Sequence, residues 1–180
     1  MSHRPRLLVL VLGLGLAPLA SAGVVTVSAE GFLSRNEVTV KAAPADAFTA
    51  LIVGLPQWWD PQHTYSGDSH NLSIEARPGG CFCERLPGGG GVAHMSVINL
   101  QPGKLLRLSG ALGPLQAQGL TGTLSWAFSP VAGGTHIVVQ YAVGGFSADG
   151  FGALAPAVDA VLSEQLRRLA QYAEQAPTPH

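Results

Sequence analysis

Cys81 and Cys83 stand two residues apart in the run Gly79-Gly80-Cys81-Phe82-Cys83-Glu84. Residues i and i+2 of a strand point to the same face, so the two thiols are neighbours. In a flat strand their Cα atoms sit at the outer edge of the range a disulfide spans. Two buried thiols are the leading expectation. A strained disulfide between Cys81 and Cys83, or a metal or redox site, are the alternatives. Glu84 and His94 form the second reactive pair. If the loop 87–91 is centred on Gly89, Glu84 faces His94 across a hairpin and Cys83 faces Met95. A carboxylate and an imidazole so placed could pass a proton. The same registers put Glu84, His94 and Arg107 on the more polar face, where a solvated charge cluster is the simpler expectation. Glu84 and His94 are therefore only weak catalytic candidates. Cys83 and Met95 fall on the apolar face, as core or as pocket wall.

Other reactive patterns are thinner. His63 and His70 lie in a loop-like stretch, and no HExxH or paired CxxC accompanies them, so no metal is expected. There is no G-x-S-x-G elbow. The glycines at 88–91 precede neither a helix nor a Lys, which a phosphate cradle needs. No cofactor is expected. Leu124, Trp126 and Phe128 share one strand face, and a suitable loop would set them against Ile137, Val139 and Tyr141. That makes either ordinary core or the wall of an apolar pocket, with the Trp126 indole and Tyr141 hydroxyl as polar handles. Trp58-Trp59 either caps a pocket mouth or anchors a short helix. The candidate ligand-binding residues are thus Trp59, Cys83, Met95, Trp126 and Tyr141.

These side chains need a scaffold. Val24, Val25 and Val27, then Val38 and Val40, read as a strand or a broken strand pair. Pro44 and Asp46 open a helix that stops near Gly54 and Pro56. Candidate strands follow at 71–77, 80–86, 92–100, 104–110, 119–129 and 135–144, punctuated by Pro and Gly turns. The last element is a helix over about 152–174, where Leu154, Val158, Val161, Leu162, Leu166, Leu169 and Ala173 keep one apolar face. The class is α+β: a curved antiparallel sheet of about seven strands around a long C-terminal helix, with a short helix pair after the first strand. A sheet that grips one amphipathic helix can leave a cavity between them.

Composition narrows the setting. Lys and Arg number 10 against 11 Asp and Glu, a net charge of −1, and charged residues make up 12%. A near-neutral chain lacks the basic face that nucleic-acid binding needs. An apolar share of 47% is too high for a disordered chain. Residues 1–22 resemble a secretory leader: Arg4 and Arg6, an apolar run Leu7 to Leu16, Pro18, and the small-x-small site Ala20-Ser21-Ala22. The run falls short of the roughly 20 residues a spanning helix needs. Cleavage after Ala22, a periplasmic or secreted location, and no stable membrane insertion are the expectations. Residues 23–176 form one domain, and 177–180 a loose tail.

The order and spacing of these pieces resemble the SRPBCC superfamily, also called START-like or helix-grip. The closest branch is that of the Hsp90-ATPase activator homologue, whose bacterial members are polyketide cyclase/dehydrase-like. The carrying residues are Val38-Thr39-Val40-Lys41-Ala42-Ala43-Pro44-Ala45-Asp46-Ala47-Phe48, Trp58-Trp59, Pro78-Gly79-Gly80-Cys81-Phe82, Gly133-Gly134-Thr135 and the closing helix, over about 30–175. The resemblance implies a cavity between sheet and helix for lipids, polyketides or aromatics, and brings no catalytic residues with it. An exported chain would not meet cytosolic Hsp90, so no Hsp90 partner is expected. Three functions remain open: a carrier of a small hydrophobic molecule, an enzyme of cyclase, dehydratase or hydrolase type acting on one, or a packed interaction module.

Overall fold

The computed structural model describes residues 23–175. The expected leader and tail lie outside the described residues.

Eight antiparallel strands form one sheet in the order β1-β2-β8-β7-β6-β5-β4-β3. They are β1 (Val24–Val27), β2 (Gly31–Val40), β3 (Leu72–Ile74), β4 (Cys81–Arg85), β5 (Gly91–Gln101), β6 (Leu105–Gly110), β7 (Thr121–Val131) and β8 (Gly134–Gly144). Helices α1 (Pro44–Ile52) and α2 (Leu55–Trp58) follow β2, and α3 (Leu154–Gln175) closes the chain. The eighth strand arises because the first apolar stretch breaks at Ser28–Glu30, making β1 and β2 a hairpin.

Helix α3 lies against β2, α1 and α2. Its buried residues Ala155, Leu162, Leu166, Leu169 and Ala173 recur at helical spacing. Each buried leucine contributes about 1.5–3 kcal/mol. The same face buries an acid. Asp159 Oδ1 accepts from Ser34 Oγ at 2.6 Å and from Asn36 Nδ2 at 3.0 Å, which ties the helix to β2. On the same face of the sheet, Phe128, Trp126 and Leu124 pair with Ile137, Val139 and Tyr141, as the expected odd–even register requires.

The β4–β5 hairpin departs from expectation. Phe82 pairs with Met95, Cys83 with Ala93 and Glu84 with Val92, so β5 carries one extra residue, His94. A bulge of this kind lets two consecutive side chains face the same side, and His94 and Met95 are both buried. The faces of β4 are therefore reversed: Phe82 and Glu84 are buried, while Cys81 and Cys83 are only half-buried. Gly110 of β6 accommodates the distortion. Its φ is +146°, and a Cβ there would meet the His94 carbonyl oxygen at 2.7 Å. Across β5 and β6, Val97 faces Leu108 as expected, but Leu100 faces Leu106 rather than Leu105, because a second bulge lies between Val97 and Asn99.

Cys81 and Cys83 are joined in a disulfide, in place of the expected free thiols. Their Cα atoms are 5.3 Å apart. Two residues of flat strand would span about 6.6 Å. The strand is shortened here relative to a flat one, which puts the two residues well within bridging range.

Candidate functional site

The site is a cavity of about 340 Å³ between α3, the edge of the sheet and two loops. Leu154, Val158, Val161 and Leu162 form its α3 wall. They sit at i, i+4, i+7 and i+8, on the flank of the helix turned from the β2 seam. Phe82 and His94 supply the sheet wall, and the segments 62–65 and 112–115 complete the lining.

Both loops are tied down. Trp59 Nε1 donates to the His63 carbonyl at 3.0 Å, and the Asp60 N–H donates to Gln165 Oε1 of α3 at 2.9 Å. The second loop is latched at the bulge, where Gln116 Nε2 donates to the carbonyls of Ala93 and His94 at 2.8 and 3.3 Å. The Leu112 N–H donates to the Tyr141 hydroxyl at 3.2 Å.

Glu84 and His94 meet at the sheet wall. His94 Nε2 lies 3.0 Å from Glu84 Oε2, and both side chains are buried. This corrects the expected solvated cluster. Because the bulge turns both residues inward, Arg107 is no neighbour and instead donates to Ser125 Oγ at 3.0 Å. The Glu84 carboxylate also accepts the N–H groups of Tyr65 at 3.1 Å and Ser66 at 2.5 Å. The imidazole is flanked by the rings of Tyr65 (centroids 5.9 Å, 20° between planes) and Phe82 (5.2 Å).

Burial pushes the Glu84 carboxyl up, but hydrogen bonds from Ser66, Tyr65 and His94 outweigh it and hold it below its ordinary value. Burial pushes the His94 imidazole down, and Glu84 restores it only in part. At neutral pH the pair is a carboxylate beside a neutral imidazole. Such a pair can accept a proton, with the carboxylate stabilising the imidazolium that forms.

Of the five expected wall residues, Trp59 lines the cavity. Met95 is buried beside it in the core, against Gly110. Cys83 faces away, on the opposite side of β4 from Phe82 and Glu84. Trp126 packs on Trp58 of α2, with centroids 6.1 Å apart, so the short helix fills the space a ligand would need. Tyr141 is fully buried, its hydroxyl is occupied by Leu112 and Gly110, and its pKa is raised by burial to about 12. His63 lines the cavity, and His70 binds Asp68 at 2.9 Å in the open. Among the described residues no three metal-capable side chains converge.

Sequence reasoning missed Tyr65, Phe82 and the loop 112–115. The signal for the loop was present: Leu112-Gly113-Pro114-Leu115 is an apolar segment where a solvent-facing turn would be polar. Phe82 was missed because its face depends on the bulge.

An open antiparallel sheet gripping one long helix over a half-open apolar cavity defines a ligand-binding or cyclase-type protein of the helix-grip class. The chain belongs to the polyketide cyclase / dehydrase and lipid transport family, whose model matches residues 32–174. No curated protein matches it. Solved structures share the fold at low identity. An uncharacterized protein from Rhizobium leguminosarum is 18% identical with a TM-score of 0.62, over 88% of this chain and 99% of that one. CalU16 from Micromonospora echinospora is 16% identical with a TM-score of 0.53, over 89% and 88%. DynU16, a protein of the dynemicin biosynthetic locus, is 17% identical with a TM-score of 0.56, over 79% of this chain and 47% of that one.

Proposed function

We propose that this protein holds a small hydrophobic molecule in the cavity under α3, outside the cytoplasm. The observation that carries the reading is the half-open cavity of about 340 Å³, walled by aliphatic α3 residues and by Trp59, Tyr65 and Phe82. Chambers of this size suit a small ligand, and burying apolar ligand surface contributes about 25 cal/mol per Å². Membership of a lipid-transport and cyclase family supports the same chemistry. The leader-like residues 1–22 support export to the periplasm or medium.

The test is native mass spectrometry of protein purified from the periplasm, followed by denaturing mass analysis. A small molecule that is retained natively, lost on denaturation, and absent from a Val158→Trp variant supports the reading. A bare chain that also fails to bind apolar probes refutes it.

One observation favours catalysis as a second reading: His94 lines the cavity, and Glu84 is hydrogen-bonded to it. As a base, His94 would take a proton from the bound molecule while Glu84 offsets the new charge. Turnover of a cavity-bound substrate that survives His94→Ala unchanged would dismiss it.

A further inference from the structure

His94, one of the residues that line the cavity, carries a buried polar atom without a partner. His94 Nδ1 is sealed from solvent and makes no hydrogen bond among the described residues. The other ring nitrogen is committed. A carboxylate only accepts, so the hydrogen in the 3.0 Å contact with Glu84 belongs to His94 Nε2. Burial keeps the ring neutral, and a neutral imidazole so fixed presents a lone pair at Nδ1. Native structures rarely bury an acceptor without reason. The other two unpartnered side-chain atoms, Asn36 Oδ1 and Gln165 Nε2, belong to residues that do not line the cavity.

The surroundings narrow what could supply the missing donor. No Lys or Arg lines the cavity, so an anionic ligand would find no permanent positive charge there, only the polar groups of Gln62, His63 and Thr64. No carboxylate lines it either, since Glu84 stands behind His94 and is already saturated with donors. A cation would lose its hydration without compensation. A neutral hydroxyl meets neither penalty. Trp59, Tyr65 and Phe82 surround the same end of the chamber and offer ring faces and edges.

We propose, resting on the binding reading above, that the ligand is a neutral aromatic molecule carrying a hydroxyl of phenol type, which donates to His94 Nδ1. The Tyr65 ring stacks nearly parallel on the imidazole face, and Nδ1 opens in the plane of the ring, so reaching it requires the 62–65 segment to shift, for which Tyr65, 52% exposed, has room.

The test is a matched pair of probes, 2-naphthol and 2-methylnaphthalene, titrated by calorimetry into the full chain. They share shape and differ in the donor. The expected result is at least tenfold tighter binding of 2-naphthol to the wild type. In His94→Phe the two should bind within a factor of two. Equal affinity of both probes in the wild type overturns the hydroxyl proposal and leaves the apolar-cavity reading standing. Failure of both to bind overturns the two together. Nitrogen-15 NMR of the wild type gives a readout that does not depend on a variant folding. The lone-pair resonance of His94 Nδ1 should shift on adding 2-naphthol and stay in place with 2-methylnaphthalene, and an unmoved resonance at saturating 2-naphthol overturns the proposal.

Discussion

Glu84 Oε2 sits 3.0 Å from His94 Nε2 because β5 carries one residue more than its partner strand. In a regular hairpin Met95 and His94 would face opposite sides. The bulge puts both inside, and the imidazole meets a carboxylate already holding the N–H groups of Tyr65 and Ser66. One acid thus fixes both a tautomer and the loop above it.

Removing that acid should be expensive. Glu84→Ala leaves three donors without their acceptor, at roughly 1–3 kcal/mol for each that stays buried. Glu84→Gln keeps an acceptor oxygen and should cost less. Urea unfolding of both variants measures the difference, and equal losses would show that the carboxylate is not the anchor.

Acid should weaken the fold in two stages. The His94 pKa is lower folded than unfolded, so its contribution is full above the ordinary value of 6.5 and is lost as pH falls through the folded pKa. The Glu84 pKa is also lower folded, so its contribution is full above about 4.5 and is lost below that. Denaturant midpoints should hold steady from pH 8 to 7, decline below about 6.5 and decline again below about 4.5. His94→Phe should erase the first decline and keep the second.

Asp159 anchors α3 to β2 through Ser34 and Asn36, all three buried. Asp159→Ala leaves two donors orphaned, at roughly 1–3 kcal/mol each. Asp159→Asn retains an acceptor and should recover at least half of the loss. Thermal unfolding of the two variants reads this directly.

The Cys81–Cys83 bridge should matter little to global stability. It closes a loop of three residues, for which the chain-entropy relation gives only about 1.6 kcal/mol. The double serine variant should therefore lose less than about 2 kcal/mol. A chain mass two hydrogens below the reduced value, in protein isolated without reductant, checks that the bridge forms.

Much of the scaffold was legible because it rests on period and punctuation. The rhythm of Leu162, Leu166 and Leu169 marked α3, and Pro44 marked the start of α1. The β7–β8 pairing depended on a suitable loop, and the turn between Val131 and Gly134 supplies that loop. The site was harder to read. Whether Glu84 and His94 face water or the interior turns on a single inserted residue, which no alternation pattern announces. Asp159 was hidden for a related reason: its partners Ser34 and Asn36 lie over a hundred residues away, and only the folded chain brings them together. Trp126 and Tyr141 were read correctly as inward-facing, but facing inward did not place them at the cavity, because α2 and the loop after β6 had claimed that space first.

The sheet is open, so it ends in two edges, β1 and β3. Exposed edges invite another chain to add a strand, which is how folded proteins begin to polymerise. Here β3 is three residues long, and β1 is four residues long with an irregular register opposite Ser34 and Leu33. Neither offers a run of backbone long enough to template a partner. The long strands β7 and β8 are paired on both sides through most of their length, whereas β1 covers only Phe32–Ser34 of β2. The architecture thus keeps its longest continuous ladder in the middle of the sheet, away from the strand of a second copy.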